Sequence, residues 1–482
     1  MKKWLSLLLA ALLLLGMVSC SGKEDPPAET TPSGGTGGSS GNNGEPGSGL
    51  QAEDFGDENG APRDFNILAR NGRYDYLYVE KDSSDRVDHA VFLRNTKLNE
   101  TFNINIKITA STTETAAWWS NTLATSSGEY DLIVPDYWWG IEQSGYVTNI
   151  LELNEIDPSD PWWYQGWNEN ATVNNRLYNI VGDAALEVLE NLEAVFFNTD
   201  KANSLNVNFY TMVDERTWTL NNMLTYARLA ASNLDGSNPS SPVVYGALYD
   251  RHSMPAQLHA MGVKMIEMDD AGMPTVIAGS QIYSDITDVL TDFIQDDAVR
   301  YDDHTARDVN NQNPTIFRSS NALFYSSALY LGTGLKGTEV KYGILPQPLY
   351  AEGDNYTSTL YGVSFFCIPK SVKDLHCSAV VLNAMNYLSN PDNDLGNESL
   401  TYQYYDTIVM GQVAQQPDDA RMLELIRDAV YVDFAFMYDA NLKLYTQFFN
   451  AVKNDSSITT LLGTIENSLP EALAKLIEAY QK

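Results

Sequence analysis

Three cysteines in 482 residues, at positions 20, 367 and 377, rule out the dense disulfide framework of small secreted domains and offer no cluster of zinc ligands. The five histidines, His89, His252, His259, His304 and His376, show no HExxH spacing. No GxSxG elbow at the end of a strand-like run and no GxxxxGK[ST] loop occurs, so no catalytic signature is present in the globular part. A carboxylate pair for glycoside hydrolysis stays open in a chain this rich in acids. Positive charge is scarce as well: 30 Lys and Arg face 63 Asp and Glu, for a formal charge of -33. Such a surface repels phosphate backbones and anionic headgroups, which argues against nucleic acid and against direct lipid binding. Most of that charge reads as a solvated face that keeps the protein soluble. No internal repeat of about 20 to 50 residues is found, which argues against a solenoid or propeller.

What is present begins at the N-terminus. Lys2 and Lys3 lead into an apolar run from Trp4 to Val18, shorter than the roughly 20 residues a membrane span needs, in the order of an export signal. The run closes on Met17-Val18-Ser19-Cys20, which resembles a bacterial lipobox with Met17 where Leu is usual. The resemblance implies cleavage before Cys20, lipidation of Cys20, and an anchored protein on the extracellular face of a bacterial cell membrane. An ordinary signal peptide with a chance cysteine is the alternative. Residues 1–19 are thus read as signal and 20–62 as a lipidated flexible linker. The stretch from Ser21 to about Pro62 is Gly, Ser, Pro, Thr and Glu, too poor in apolar surface to offset its ordering entropy. At about 5 to 6 Å times the square root of its length, it would hold a folded body a few nanometres from the bilayer.

The remaining chain has the composition of a globular α/β protein, with length enough for two units. Asp64 to Ala69 reads as a strand, Val87 to Phe102 as an amphipathic helix, and Asn103 to Thr109 as a second strand. Glu114 to Thr125 carries a helical pattern and Tyr130 to Val134 a third strand. Strands separated by helical crossovers imply a parallel sheet covered on both faces. Export permits a disulfide between Cys367 and Cys377, and two buried thiols fit equally well.

The segment YDLIVPDYWWGIEQSGYVTNILEL, Tyr130 to Leu153, resembles the third-strand region of extracellular solute-binding proteins of ABC importers, the group that contains maltose-binding protein. RLYNIVGD (Arg176 to Asp183), LEAVFFNTDKA (Leu192 to Ala202) and TWTLNNM (Thr217 to Met223) follow in the family's order. So do FRSSNALFY (Phe317 to Tyr325), YGILPQPLY (Tyr342 to Tyr350) and FFCIPKSV (Phe365 to Val372). The resemblance implies a two-lobed α/β fold of the periplasmic-binding-protein type II class, with a hinge of crossing strands. Lobe one would span 63–195 and 363–398, and lobe two 196–362 and the C-terminal helices of 399–482. The crossings would fall near Phe196 to Asn198, Val363 to Ile368, and Ser399 to Tyr405. In the last helix, Ser468 and Glu471 form a capping-box pattern ahead of EALAKLIEAY.

A neutral sugar presents apolar C–H faces ringed by hydroxyls, so its site needs flat aromatics and carboxylates or amides. Asp136, Tyr137, Trp138 and Trp139 supply both kinds at the C-terminal end of a strand, where open α/β sheets place ligands. Trp138 is the expected stacking platform, and Asp136 matches a sugar-contacting Asp of the family; adjacent residues at a strand end often point opposite ways, so one Trp of the pair can be core. Trp118 and Trp119 lie in a helical pattern and read as core. Trp163, beside Trp162 in a turn-rich segment, reads equally as contact or packing. Asp183 matches a family position facing the cleft and is equally a helix N-cap. Tyr249, with Asp250, Arg251 and His252, follows a strand and could close over ligand. Arg318 could donate to hydroxyls or a carboxylate, or make a surface or hinge ion pair. Arg73 and Glu80 in the first polar loop are further candidates. Asn390 to Ser399 has calcium-loop flavour, but Gly396 is misplaced for an EF-hand, and a turn is expected.

The resulting expectation is a monomeric, membrane-anchored receptor, not an enzyme, with no cofactor and no metal. It would bind a small solute, a sugar or oligosaccharide, neutral or cationic rather than phosphorylated, and deliver it to ABC permease subunits. A surface glycan adhesin or glycoside hydrolase is the alternative.

Overall fold

The computed structural model describes residues 50–481, so the signal, Cys20 and most of the linker lie outside the described residues. The first sheet is built on β1 (Arg63–Ala69), whose Phe65, Ile67, Leu68 and Ala69 are all buried, as a central parallel strand requires. β2 (Ile104–Ala110) pairs parallel along one edge, with Arg63 opposite Ile104. β3 (Leu132–Val134) pairs parallel along the other edge, with Ile67 opposite Leu132. The crossover helix Arg86–Phe102 starts where the Asp85 carboxylate accepts the N–H groups of Val87 and Asp88, and stops at Asn103 in the left-handed conformation. The second crossover, Ala116–Thr125, is capped by Thr115. Beyond β3, antiparallel bridges from Ile133 to Cys367 and from Asp136 to Ser364 add a returning segment, and Ile180 bridges Phe366 on its far side.

The second sheet has the order β10-β4-β9-β5-β8, formed by β4 (Glu193–Asn198), β5 (Tyr245–Asp250), β8 (Val299–Asp302), β9 (Ala322–Ala328) and β10 (Tyr342–Leu345). β4 runs antiparallel to β9 and β10, while β5 runs parallel to β8 and β9. A small antiparallel pair, β6 (Ile266–Met268) and β7 (Pro274–Val276), stands apart. Gly246 lets β5 approach the helix Leu220–Ala230, since a Cβ there would run into the Ala227 carbonyl. Among the described residues no helix is long and apolar enough to cross a membrane.

Three local expectations meet a different outcome or are resolved. The segment after Ser399 is not a crossing strand but enters a π-helix, Tyr402–Val413, packed on both Arg86–Phe102 and Asp419–Asp428. Tyr405, Val409 and Val413 are buried at every fourth position, a helical spacing that the Tyr-rich start disguises. The Ser468/Glu471 capping box does not form. Only the turn of residues 466–468 separates the preceding helix Ile458–Ile465 from Leu469–Ala479, and Ser468 keeps helical angles (φ -91, ψ -26) instead of the extended ones a capping side chain needs. Its hydroxyl donates to the Ile465 carbonyl at 3.2 Å, and Glu471 pairs with Lys475 at 2.8 Å. Cys377 carries a buried free thiol, pushed up to about 12 by burial first, and is not bridged to Cys367.

Candidate functional site

Strands of both sheets end on one cavity of about 410 Å³. From the first sheet come Arg70 and Arg73, just past β1, and Asp136, Tyr137, Trp138 and Trp139, just past β3. From the second come His252 after β5, Thr305 and Arg307 after β8, and Tyr330 after β9. Glu187, Asn191, Tyr361 and Gly362 line the wall from segments that join the two sheets. Open α/β sheets gather loops at the carboxyl ends of their strands, and here two such sheets share one crevice.

The turn after β3 is set by Asp136, whose carboxylate accepts the Trp138 N–H at 2.9 Å and caps the 3-10 turn Tyr137–Trp139. That turn sends the three rings different ways. Tyr137 is buried, stacked against Phe436 with ring centroids 6.0 Å apart and met edge-on by Trp167. The half-buried Trp139 donates its indole N–H to Glu114 at 3.0 Å, and Trp119 donates to the same carboxylate oxygen at 3.3 Å. Trp138 alone of the three is left 37% exposed. On the opposing sheet His252 stacks on Tyr361 with centroids 3.4 Å apart, and Arg307 lies 3.8 Å over the Tyr330 ring. Burial, helped by the Arg251 charge, pulls His252 down to about 3, so its ring is neutral and apolar-faced.

Three guanidiniums and three carboxylates make a chain along the floor. Arg70 pairs with Asp136 at 2.5 Å and lies 3.8 Å from Glu187; Arg73 is 3.6 Å from Glu187 and 3.7 Å from Glu190. Arg307 donates to Glu190 at 3.0 Å. Glu187 also accepts the Ser364 N–H at 2.7 Å, tying the site to the returning segment. Burial raises Asp136 to about 6 against the opposing pull of Arg70, and raises Glu190 to about 7 against Arg73.

Of the residues singled out in the sequence, Asp136, Tyr137, Trp138, Trp139, Arg73 and His252 line this cavity. Arg251 is exposed beside His252 and acts on Tyr137, Tyr361 and His252 through its charge. Tyr249 has no exposed surface; its hydroxyl donates to Gln257 at 2.9 Å and its ring packs on Phe293. Asp250 is likewise internal, accepting from Asn311, Asn313 and Tyr325. Arg318 ends the helix Asn313–Arg318 near Gly334, outside the cavity lining. Trp163 is buried against Gly182, and Trp162 donates to Asn383 at 2.9 Å. Asp183 accepts from Asn390 at 2.7 Å and is pushed up to about 7 by burial, apart from the cavity and without a helix-capping bond. Glu80 is exposed and lines no part of it. Arg70, Glu187, Asn191, Arg307, Tyr330 and Tyr361 were not foreseen. Arg70 follows β1 as Asp136 follows β3, so the strand-end rule reaches it. Arg307 follows a strand of four residues, and Tyr330 follows the longer β9 with no acid or second aromatic beside it to mark a site.

No family model matches the chain, and no curated protein matches it. Solved structures do. The GacH receptor of Streptomyces glaucescens, described unliganded and with acarbose, shares 13% identity at a TM-score of 0.53, covering 87% of this chain and 98% of that one. The ABC substrate-binding protein Lmo0181 of Listeria monocytogenes, in complex with cycloalternan, shares 11% at 0.55, over 86% and 99%. Maltose-bound MalE3 of T. maritima shares 13% at 0.51, over 87% and 99%. At such identities the likeness is one of fold, and it gives this chain the two-lobed α/β architecture of maltose-binding protein.

Proposed function

We propose that the chain is a sugar receptor of an ABC importer: a lipid-anchored, extracellular solute-binding protein, monomeric, that captures its ligand between the two sheets and delivers it to permease subunits without altering it. Trp138 carries this reading. In a chain whose large aromatics are otherwise mostly buried, one indole is left bare in the cavity, beside Asp136 and across from the neutral His252–Tyr361 stack. That pairing of flat apolar face and polar acceptor suits a pyranose ring. The fold is shared with three proteins whose structures were described with acarbose, cycloalternan and maltose. Ligand touching both strand-end clusters would favour a closed arrangement of the lobes, a hinge motion. The membrane address rests on Cys20 and its preceding run.

Titration of the full chain with a panel of mono- and oligosaccharides, read by tryptophan fluorescence and calorimetry, tests the proposal. One saturable site, compaction on binding in solution scattering, and no released product are expected. Bound sugar at a hundredfold excess over Kd should add about 2.7 kcal/mol of stability. Product release from any glycan, or no saccharide bound at all, overturns it. For the anchor, Cys20→Ser should abolish incorporation of labelled fatty acid into the protein; unchanged incorporation refutes lipidation there.

A further inference from the structure

The cavity shows its ligand guanidinium, not carboxylate, in a chain of net charge -33. Arg70, Arg73 and Arg307 expose 29%, 31% and 33% of their side chains, whereas their partners Asp136, Glu187 and Glu190 expose 10%, 2% and 24%. The acids stand behind and the cations in front. Buried carboxylates of this kind hold arginines in position for something else, and here the arginines converge from both sheets on one space.

Arg73 is the least satisfied of them. Its nearest acids, Glu187 at 3.6 Å and Glu190 at 3.7 Å, lie beyond hydrogen-bond length. Among the described residues no hydrogen bond engages its guanidinium. Arg307 sits 3.8 Å over the Tyr330 ring and is touched by Glu190 through one nitrogen, and among the described residues no hydrogen bond engages the other N–H groups of its fork. Burial also raises Glu190 to about 7, so near neutral pH its carboxyl is only partly ionised beside Arg73 and Arg307. A neutral sugar offers hydroxyls, which any amide or carboxylate could meet. Guanidinium has five donors, no acceptor and a planar fork, and its best complement is a planar oxyanion held by two parallel bonds.

We propose that the ligand is an acidic saccharide, a uronic-acid sugar whose ring stacks on Trp138 while its carboxylate is held by Arg73 between Arg70 and Arg307. The proposal rests on the sugar-receptor reading and narrows it, against the neutral or cationic solute that the acidic composition implies. The net charge of the chain governs the distant field, whereas the three arginines govern contact distance, where a paired and partly desolvated charge outweighs screened ones.

The full chain is titrated calorimetrically with an oligogalacturonide and a glucuronate-containing disaccharide, with their methyl esters, with maltose and cellobiose, and with a sulfated disaccharide. The free acid should bind at least about tenfold more tightly than its own ester, the difference expected when charge-assisted bonds become neutral ones. Arg73→Gln should bring that acid-to-ester ratio close to one. Arg307→Gln, on the other sheet, should lower the ratio too, and serves if the first variant folds poorly. Equal binding of acid and ester overturns the inference, as does tighter binding of maltose or cellobiose; both leave the sugar-receptor reading standing. Preference for the sulfated sugar over the uronates overturns the carboxylate assignment. Failure of every saccharide overturns the receptor reading itself.

Discussion

Replacing Trp138 by alanine tests the site most directly, and its size follows from exposure. With 37% of the residue open, and about 250 Å² for a full tryptophan, roughly 90 Å² faces the cavity. At about 25 cal/mol per Å², complete coverage by a sugar would be worth about 2.3 kcal/mol. A ring stacked on one face covers about half of that area, and specific aromatic geometry adds about 0.5 to 1.5 kcal/mol. The expected loss is about 1.7 to 2.7 kcal/mol, a rise in Kd of roughly 20- to 100-fold. Stability should change little, because the Trp138 backbone N–H still reaches Asp136 and the side chain gives up chiefly its edge contact with Tyr137. Calorimetric titration of the full chain with its best saccharide measures the first quantity, and urea unfolding the second. Trp139→Ala supplies the contrast: its indole bond to Glu114 is structural, so it should lose about 1 to 2 kcal/mol of stability. Binding by Trp138→Ala within twofold of the parent, at unchanged stability, would refute the stacking argument.

Three further outcomes are expected. His252 titrates at its ordinary 6.5 when unfolded and at about 3 when folded, so the stability it confers is present above 6.5 and is lost as pH falls toward 3. Between pH 7 and 5 the parent should lose about 1 to 2 kcal/mol that His252→Gln retains in urea titrations; identical pH profiles would count against it. Asp183 runs the other way, its folded value near 7 lying above the ordinary 3.8, so its contribution is present below 3.8 and disappears as pH rises through 7. Asp183→Asn should therefore be more stable than the parent at pH 8, by up to about 4 kcal/mol, with little gain at pH 4; a loss at pH 8 would contradict burial as the cause. Arg94 is fully buried, pulled down to about 9 by burial, and donates to the Tyr76 and Leu77 carbonyls and to Ser389. Arg94→Met should cost about 3 kcal/mol in thermal unfolding by leaving the Tyr76 carbonyl unmet and Leu77 with Asn95 alone, and a loss below about 1 kcal/mol would show that water replaces it.

Local periodicity made the first half legible. The runs of Asp64 to Ala69 and Asn103 to Thr109, each with a charged or polar boundary and a helical pattern between, fall within one or two residues of β1 and β2. Asp136 to Trp139 was accessible because a strand end plus aromatics is a contiguous signal. Arg307 and Tyr330 were not, because each enters the cavity from a different strand of the second sheet, about 25 residues apart and with no shared motif. Tyr249 and Asp183 belong to the same kind of strand-end segment as Trp138, yet face inward: alternation along a strand sends neighbours to opposite sides, and only packing says which side holds water. The capping pattern at Ser468 failed similarly, since the sequence names the side chain but the approach of the previous helix fixes its backbone angles.

The sequence alone determined the charged start and apolar run up to Val18, the composition of the stretch after Cys20, the alternation of strands and helices, and the cluster at Asp136 to Trp139, all properties written in neighbouring residues. Only the tertiary structure decided which tryptophan is bare, that Cys377 stays a thiol apart from Cys367, and that a chain of net charge -33 places arginines in front of its acids in the cavity. The physical reason is that exposure and pairing depend on which segments far apart in sequence come to lie against each other. Composition sums charge over the whole surface, whereas a ligand meets only the few groups that two sheets bring to one crevice.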